Sequence, residues 1–225
     1  MTGLKLVIFD VDGTLVDSQG DILGAMGVAF RAEGLETPDR EAVLGIVGLS
    51  LPQAMERLVT GIGAVQRTRL VEAYKGAYAS LVAAGGAAAS PLYPGIPELL
   101  MQLAGKDEVM LGVATGKSRR GLTRLLDAHG LQRRFVTTQV ADDHPSKPHP
   151  AMLFACLDEV GVEAEQAVMI GDTSYDMDMA EAAGIRGIGV TWGYHPAEAL
   201  AAATRVVDDT KTLETAIFDL LEDRT

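Results

Sequence analysis

The chain has one cysteine, Cys156, among 225 residues. A single thiol excludes an internal disulfide and any multi-cysteine metal site, and the helix-like pattern around it reads as a small buried apolar residue. An excess of basic charge is missing as well. Nineteen Lys and Arg stand against 31 Asp and Glu, a formal net charge of −12, which argues against nucleic acid or an anionic membrane as the main partner. The same balance disfavours an anionic substrate, unless a metal and a few local cations reverse the field in one pocket. The N-terminus lacks a basic region followed by an apolar stretch and a small-residue cleavage site, so no signal peptide is expected. The uncharged stretch 81–97 is interrupted by Gly85, Gly86, Pro91, Pro94 and Pro97, more breakers than a membrane helix carries. There is no internal repeat. The expectation is a cytoplasmic protein, long enough for one large domain or for a core with a smaller insert.

What is present is an ordered alternation of patterns. Residues 4–9 form a near-continuous apolar run, as expected of a central strand in a parallel sheet. From 18 to 84 the apolar residues recur only at helical spacing: Ile22, Leu23, Met26 and Phe30, then Met55, Leu58 and Val59, then Leu70, Tyr74, Tyr78 and Leu81. From Tyr93 onward helices (96–104, 118–129, 150–160, 177–183, 213–221) alternate with strands (109–114, 135–140, 167–170, 185–190, 205–207), with a short helix near 196–203. The first strand precedes the helical block and its natural partners follow it, so the block is an insertion. The expected fold class is α/β: a Rossmann-like parallel-sheet core over 1–14 and 91–225, with an all-helical cap over 15–90. Composition points to hinges at 14–17 and in the Gly-, Ala- and Pro-rich 85–94.

Four segments carry the chemistry. Asp10-Val11-Asp12-Gly13-Thr14 places two carboxylates at the end of the first strand, where ligands of parallel sheets gather. Two crowded acids push one pKa up, which suits a nucleophile beside a general acid. Thr115-Gly116 lies between a strand and a helix, where backbone N–H groups and the Thr115 hydroxyl can cradle an anion; a plain helix cap is the equal alternative for Thr115. A Walker A loop fails on spacing, because only three residues separate Gly112 from Gly116. Lys117 reads as a solvated side chain. Lys147 sits in the stiff turn Ser146-Lys147-Pro148 and can neutralise a phosphate, whereas His144 and His149 read as loop histidines. Asp172 ends a further buried strand and suits a hard cation, with Asp176 placed to orient a metal-bound water or to pair with Lys147. Asp178 reads as complementing a helix N-terminus. Trp192 and Tyr194 read as core or rim packing.

In this order and spacing, Asp10 to Thr14, Ala114-Thr115-Gly116, Lys147-Pro148 and Gly171 to Asp176 resemble the haloacid dehalogenase superfamily, in its phosphoglycolate phosphatase-like branch with a helical cap. The resemblance spans essentially the whole chain. It implies that Asp10 is a nucleophile forming an aspartyl-phosphate and that Asp12 is the general acid and base. It further implies Mg²⁺ held by Asp10, Asp172 and the backbone carbonyl of Asp12, with Asp176 in the surrounding shell. Thr115, Gly116 and Lys147 would hold the phosphate. The implied activity is hydrolysis of a small phosphorylated metabolite, of phosphoglycolate or sugar-phosphate type, by a monomer or homodimer. A β-phosphoglucomutase-like phosphotransferase and a non-catalytic regulatory or scaffold protein of the same fold stand as alternatives. The absence of any Lys or Arg in 45–52 weighs against the mutase and leaves a substrate carboxylate without an obvious cap partner.

Overall fold

The computed structural model describes residues 3–88 and 90–222, apart from the side chain of 87. Six parallel strands form one sheet: β1 (Lys5–Phe9), β2 (Val109–Thr115), β3 (Thr137–Val140), β4 (Ala167–Gly171), β5 (Arg186–Val190) and β6 (Arg205–Val207), in the order β3-β2-β1-β4-β5-β6. Leu6 to Phe9 are wholly buried because β1 lies mid-sheet with helices over both faces. Alternate side chains divide between two cores. Val7 and Phe9 join Ile96, Leu99 and Leu103 of α5 (Ile96–Ala104), Leu122 and Leu125 of α6 (Arg119–Ala128), and Leu213 and Ile217 of a C-terminal helix over Thr210–Glu222. Leu6 and Ile8 join Met152, Leu153 and Cys156 of α7 (Ala151–Val160) and Met179 and Ala180 of α8 (Ser174–Ala182) on the other face. Cys156 is thus a buried apolar residue, as its surroundings in the sequence suggest.

Several boundaries move for local reasons. Helix α8 starts at Ser174 rather than 177, since Thr173 and Asp176 close a reciprocal capping box on its first turn. The C-terminal helix, α9, starts at Thr210 rather than 213, where Asp209 Oδ1 accepts the Thr212 N–H at 2.7 Å. Strand β3 is shorter than 135–140, and the expected helix near 196–203 is a single 3₁₀ turn, Ala197–Leu200.

Between β1 and α5 the chain forms helices α1 (Gln19–Ala32), α2 (Arg40–Leu44), α3 (Leu51–Leu58) and α4 (Ala64–Gly85). These pack on one another around Ile22, Met26, Phe30, Val43, Met55 and Leu70, a core separate from both faces of the sheet. The two chain crossings pair with each other instead of running free. The Asp17 N–H donates to Pro91 O at 2.9 Å, the Tyr93 N–H donates to Leu15 O at 3.0 Å, and Val16 bridges Leu92 in antiparallel fashion. Among the described residues no helix is long and apolar enough to cross a membrane.

Because this helical core is small and self-contained, truncating its centre should be costly. Leu70→Ala, at a fully buried position, is expected to lower unfolding free energy by about 3 kcal/mol, read from urea denaturation; a loss below about 1 kcal/mol would mean that the insert contributes little to the cooperative unit.

Candidate active site

Three neighbouring strands deliver the site at their carboxyl ends. Asp10 follows β1, Thr115 closes β2 and Asp172 follows β4. Strand β1 lies between β2 and β4, where the winding direction of the sheet reverses and its connecting helices part to leave a crevice. Gly13 has φ +89°, and a Cβ there would fall on the Asp172 carboxylate. Only glycine lets the backbone beyond Asp12 turn so closely past that acid.

At the floor, the carboxylates of Asp10, Asp172 and Asp176 offer oxygens within 4.8 Å of one another, and all three residues are buried. One cation faces them. Lys147, itself fully buried, places Nζ 2.6 Å from Asp176 Oδ1 and 2.9 Å from Asp10 Oδ1. Asp176 is fully engaged, its Oδ2 also accepting from the Thr173 N–H at 3.1 Å and the Thr173 hydroxyl at 2.7 Å. Asp172 accepts from the Thr14 hydroxyl and the Tyr194 N–H, both at 2.8 Å. Asp10 alone has both carboxylate oxygens buried without a hydrogen bond of good geometry. Burial is the largest force raising its pKa to about 6, against the attraction of Lys147 and with the help of Asp176; Asp12 contributes least. The expectation that crowding by Asp12 sets this shift is therefore corrected. Asp172 is raised well above its usual range, by burial and then by Asp176 and Asp10. Burial alone would drive the Lys147 ammonium towards neutrality, but Asp10 and Asp176 outweigh it and hold the pKa above the usual lysine value. Three acids against one ammonium, with orphaned oxygens on Asp10, form a donor set that fits a hard divalent cation.

Asp12 belongs to a different cluster. Its carboxylate accepts two hydrogen bonds from Lys117 Nζ, at 2.7 and 2.8 Å, and one from the Ser18 hydroxyl at 2.6 Å. Lys117 also donates to the Tyr78 hydroxyl of α4 at 3.0 Å and lies over that ring, 4.9 Å from its centroid. The reading of Lys117 as solvated is corrected: its side chain is 8% exposed, and the attraction of Asp12 and Tyr78 raises its pKa despite the opposing effect of burial. Tyr194 is likewise more than packing. Its hydroxyl accepts the Ser18 N–H at 2.9 Å while its own N–H holds Asp172. Trp192 packs against the sheet core and donates to Thr14 O at 3.1 Å.

The roof comes from the helical insert. Asp10, Asp12, Thr115 and Gly116 line one cavity of about 490 Å³ together with Val47 to Pro52, Met26 and Tyr78. A Cβ on Gly116 would fall on the carbonyl oxygens of Gly48 and Leu49, so the 45–52 segment lies directly on the proposed anion cradle. Thr115 is not the cap of α6; Ser118 is, accepting the Gly121 N–H at 3.2 Å. Contacts that the sequence reading did not find hold this roof down: Ser50 N–H to Ser146 Oγ at 2.7 Å, and the Tyr175 hydroxyl to Gly45 O at 2.8 Å while accepting from Arg57 at 2.5 Å. No motif announces them, since they join residues about 100 positions or more apart. His144 bonds Gln139 and His149 accepts from the Ala151 N–H, as loop histidines do. Asp178 is exposed on α8.

Comparison with known proteins places this arrangement. Residues 7–190 match the family model described as haloacid dehalogenase-like hydrolase. "Probable phosphatase IndB" of Dickeya dadantii is 37% identical over 209 residues, covering 91% of this chain and 89% of its own, and a phosphoglycolate phosphatase of Photorhabdus laumondii is 31% identical over 210 residues, covering 89% and 86%. The crystal structure of a hydrolase from Pseudomonas syringae superposes with a TM-score of 0.83 at 27% identity, covering 96% of this chain and 98% of that one. A β-phosphoglucomutase from Clostridium difficile shares the fold, with a TM-score of 0.81 at 20% identity. The chain belongs to the haloacid dehalogenase-like hydrolase family. The Dickeya and Photorhabdus relatives bear the names of phosphatases.

Two predictions follow from the charges. A buried acid with raised pKa favours folding below its unfolded value of 3.8, and that contribution is lost as pH rises through about 6. A bound cation opposes this loss by favouring ionised Asp10. Mg²⁺ should therefore raise Tm at pH 7.5 and much less at pH 5; equal shifts at both would place the ion elsewhere. Separately, Lys117→Met should cost about 3 kcal/mol in urea denaturation by stranding the Asp12 carboxylate, with most of the loss recovered in Lys117→Met/Asp12→Asn. A cost below about 1 kcal/mol would mark a solvent-screened pair.

Proposed function

We propose that this chain is a Mg²⁺-dependent phosphatase that hydrolyses a small phosphorylated metabolite through an aspartyl-phosphate on Asp10. The observation that carries this is the state of Asp10: a buried carboxylate whose Oδ1 faces Lys147 at 2.9 Å and whose Oδ2 has no partner, at the floor of a cavity roofed by the insert. A nucleophile needs an available lone pair, and Asp10 is the acid of the floor that keeps one. Asp10, Asp172 and the backbone of Asp12 would hold the ion, with Asp176 locked by Lys147 and Thr173 behind them. The ion supplies charge neutralisation between the phosphate and the carboxylates.

An Asp10 oxygen attacks phosphorus in line with the ester oxygen, which departs as the P–O bond breaks. Asp12, which must first be protonated and turned from Lys117, donates that proton to the leaving oxygen, then takes one from the water that cleaves the acyl phosphate, so inorganic phosphate leaves and Asp10 is regenerated. The Thr115 hydroxyl, the Gly116 N–H and Lys147 hold the non-bridging oxygens. The helical insert acts as a cap, and the 45–52 segment over Gly116 keeps bulk water from the intermediate. Cytoplasmic work suits a strongly acidic chain whose single thiol is buried.

With p-nitrophenyl phosphate and Mg²⁺, wild type should release phosphate and Asp10→Asn should lose at least about 10³-fold in kcat while remaining folded. Retention of activity by Asp10→Asn would remove the covalent mechanism.

A further inference from the structure

The cavity above Asp10 holds two cations for which the proposed chemistry has no use. Arg120 and Arg124 both line it. Four residues apart on α6, they share a face and are separated by roughly 6 Å along the helix axis. Neither guanidinium has an ion-pair or hydrogen-bond partner among the described residues. Their neighbour Arg119 differs: it donates to Thr138 O and Oγ1 at 2.8 Å and pairs with Asp143 at 2.6 Å, and it does not line the cavity.

The other cations on the cavity lining are already engaged, Lys117 with Asp12 and Lys75 with Glu72. Asp142 also lines the cavity and keeps its charge, since its Oδ2 accepts only the Arg119 backbone N–H at 2.8 Å. Two guanidiniums against the one Asp142 carboxylate leave the α6 side of the cavity net positive, in a chain of net charge −12. The remaining lining is largely apolar, with Ile22, Met26, Leu49 and Val82 contributed by the insert. At about 490 Å³ the space falls within the range that encloses ligands far larger than a two-carbon ester. Guanidinium groups recognise carboxylate and phosphate alike, through paired N–H donors.

We propose that Arg120 and Arg124 bind a second anionic group at the far end of the substrate, and that the substrate is a phosphate ester whose carbon body is longer than two atoms. The cationic partner for that group comes from core helix α6 and not from the 45–52 segment. This rests on the phosphatase reading of the site.

Phosphate release would be measured on matched pairs that differ in the distal group: 3-phosphoglycerate against glycerol 3-phosphate, 6-phosphogluconate against glucose 6-phosphate, and glucose 1,6-bisphosphate against glucose 1-phosphate, with phosphoglycolate beside them. In wild type the distal anion should raise kcat/KM about tenfold or more in at least one pair, and that pair tells carboxylate from phosphate. In Arg120→Gln/Arg124→Gln the ratio should collapse towards one, chiefly through KM. A wild-type ratio near one in every pair, a ratio that survives in the double variant, or phosphoglycolate as the best substrate would each overturn the proposal. If wild type releases no phosphate from any ester, p-nitrophenyl phosphate included, the phosphatase reading falls first. Titration calorimetry with the same pairs then decides the arginine site: anion-dependent binding lost in the double variant sustains it, and its absence overturns it.

Discussion

Everything at this site depends on three carboxylates kept out of water with one ammonium among them. Ionised Asp10, Asp172 and Asp176 repel one another at this range, and Lys147 offsets only part of that charge. Hydrogen-bond donors satisfy Asp172 and Asp176, so the unmet demand concentrates on Asp10. A buried excess of negative charge with open oxygens is a standing demand for a cation. The same imbalance leaves Asp10 Oδ2 without a donor, which suits the nucleophile proposed for it.

The fold meets this constraint by geometry. Parallel strands end together, so acids that follow β1 and β4 arrive side by side at the place where helices part. The segment between β3 and α7 then brings Lys147 in from the far side of β2. The helical insert completes the enclosure, and one of its polar links to the core runs through Tyr78 to Lys117 and on to Asp12. The proton transfer proposed for Asp12 and the position of the insert thereby meet in one hydrogen-bonded cluster. A cap that lifted α4 would take Tyr78 from Lys117.

Much of this was legible before the fold was known. The apolar run ending in Asp10, the helical spacing from Ile22 to Leu81 and the later strand and helix alternation prescribe a parallel sheet interrupted by helices. That Asp176 could pair with Lys147, one of two roles open to it, was readable from a lysine in a rigid turn and an acid in the first turn of a helix; the fold makes the pair at 2.6 Å. Lys117 was misread because a lone lysine after a glycine is usually solvated, and nothing local reports a half-buried tyrosine 39 residues earlier. Tyr194 and Tyr175 escaped for the same reason, since their partners Ser18 and Gly45 lie 176 and 130 residues away.

Periodicity and the chemistry of residues within a few positions of one another were therefore decided by the sequence itself: strand, helix, strand-end acid, glycine turn. Those features depend on local sterics and on apolar spacing, which the chain writes directly. Which acid would be left without donors, which lysine would be buried, and which arginines would face the cavity were decided only when distant segments met. Burial and electrostatic pairing are properties of that meeting, because a charge is stabilised by whatever the fold sets beside it.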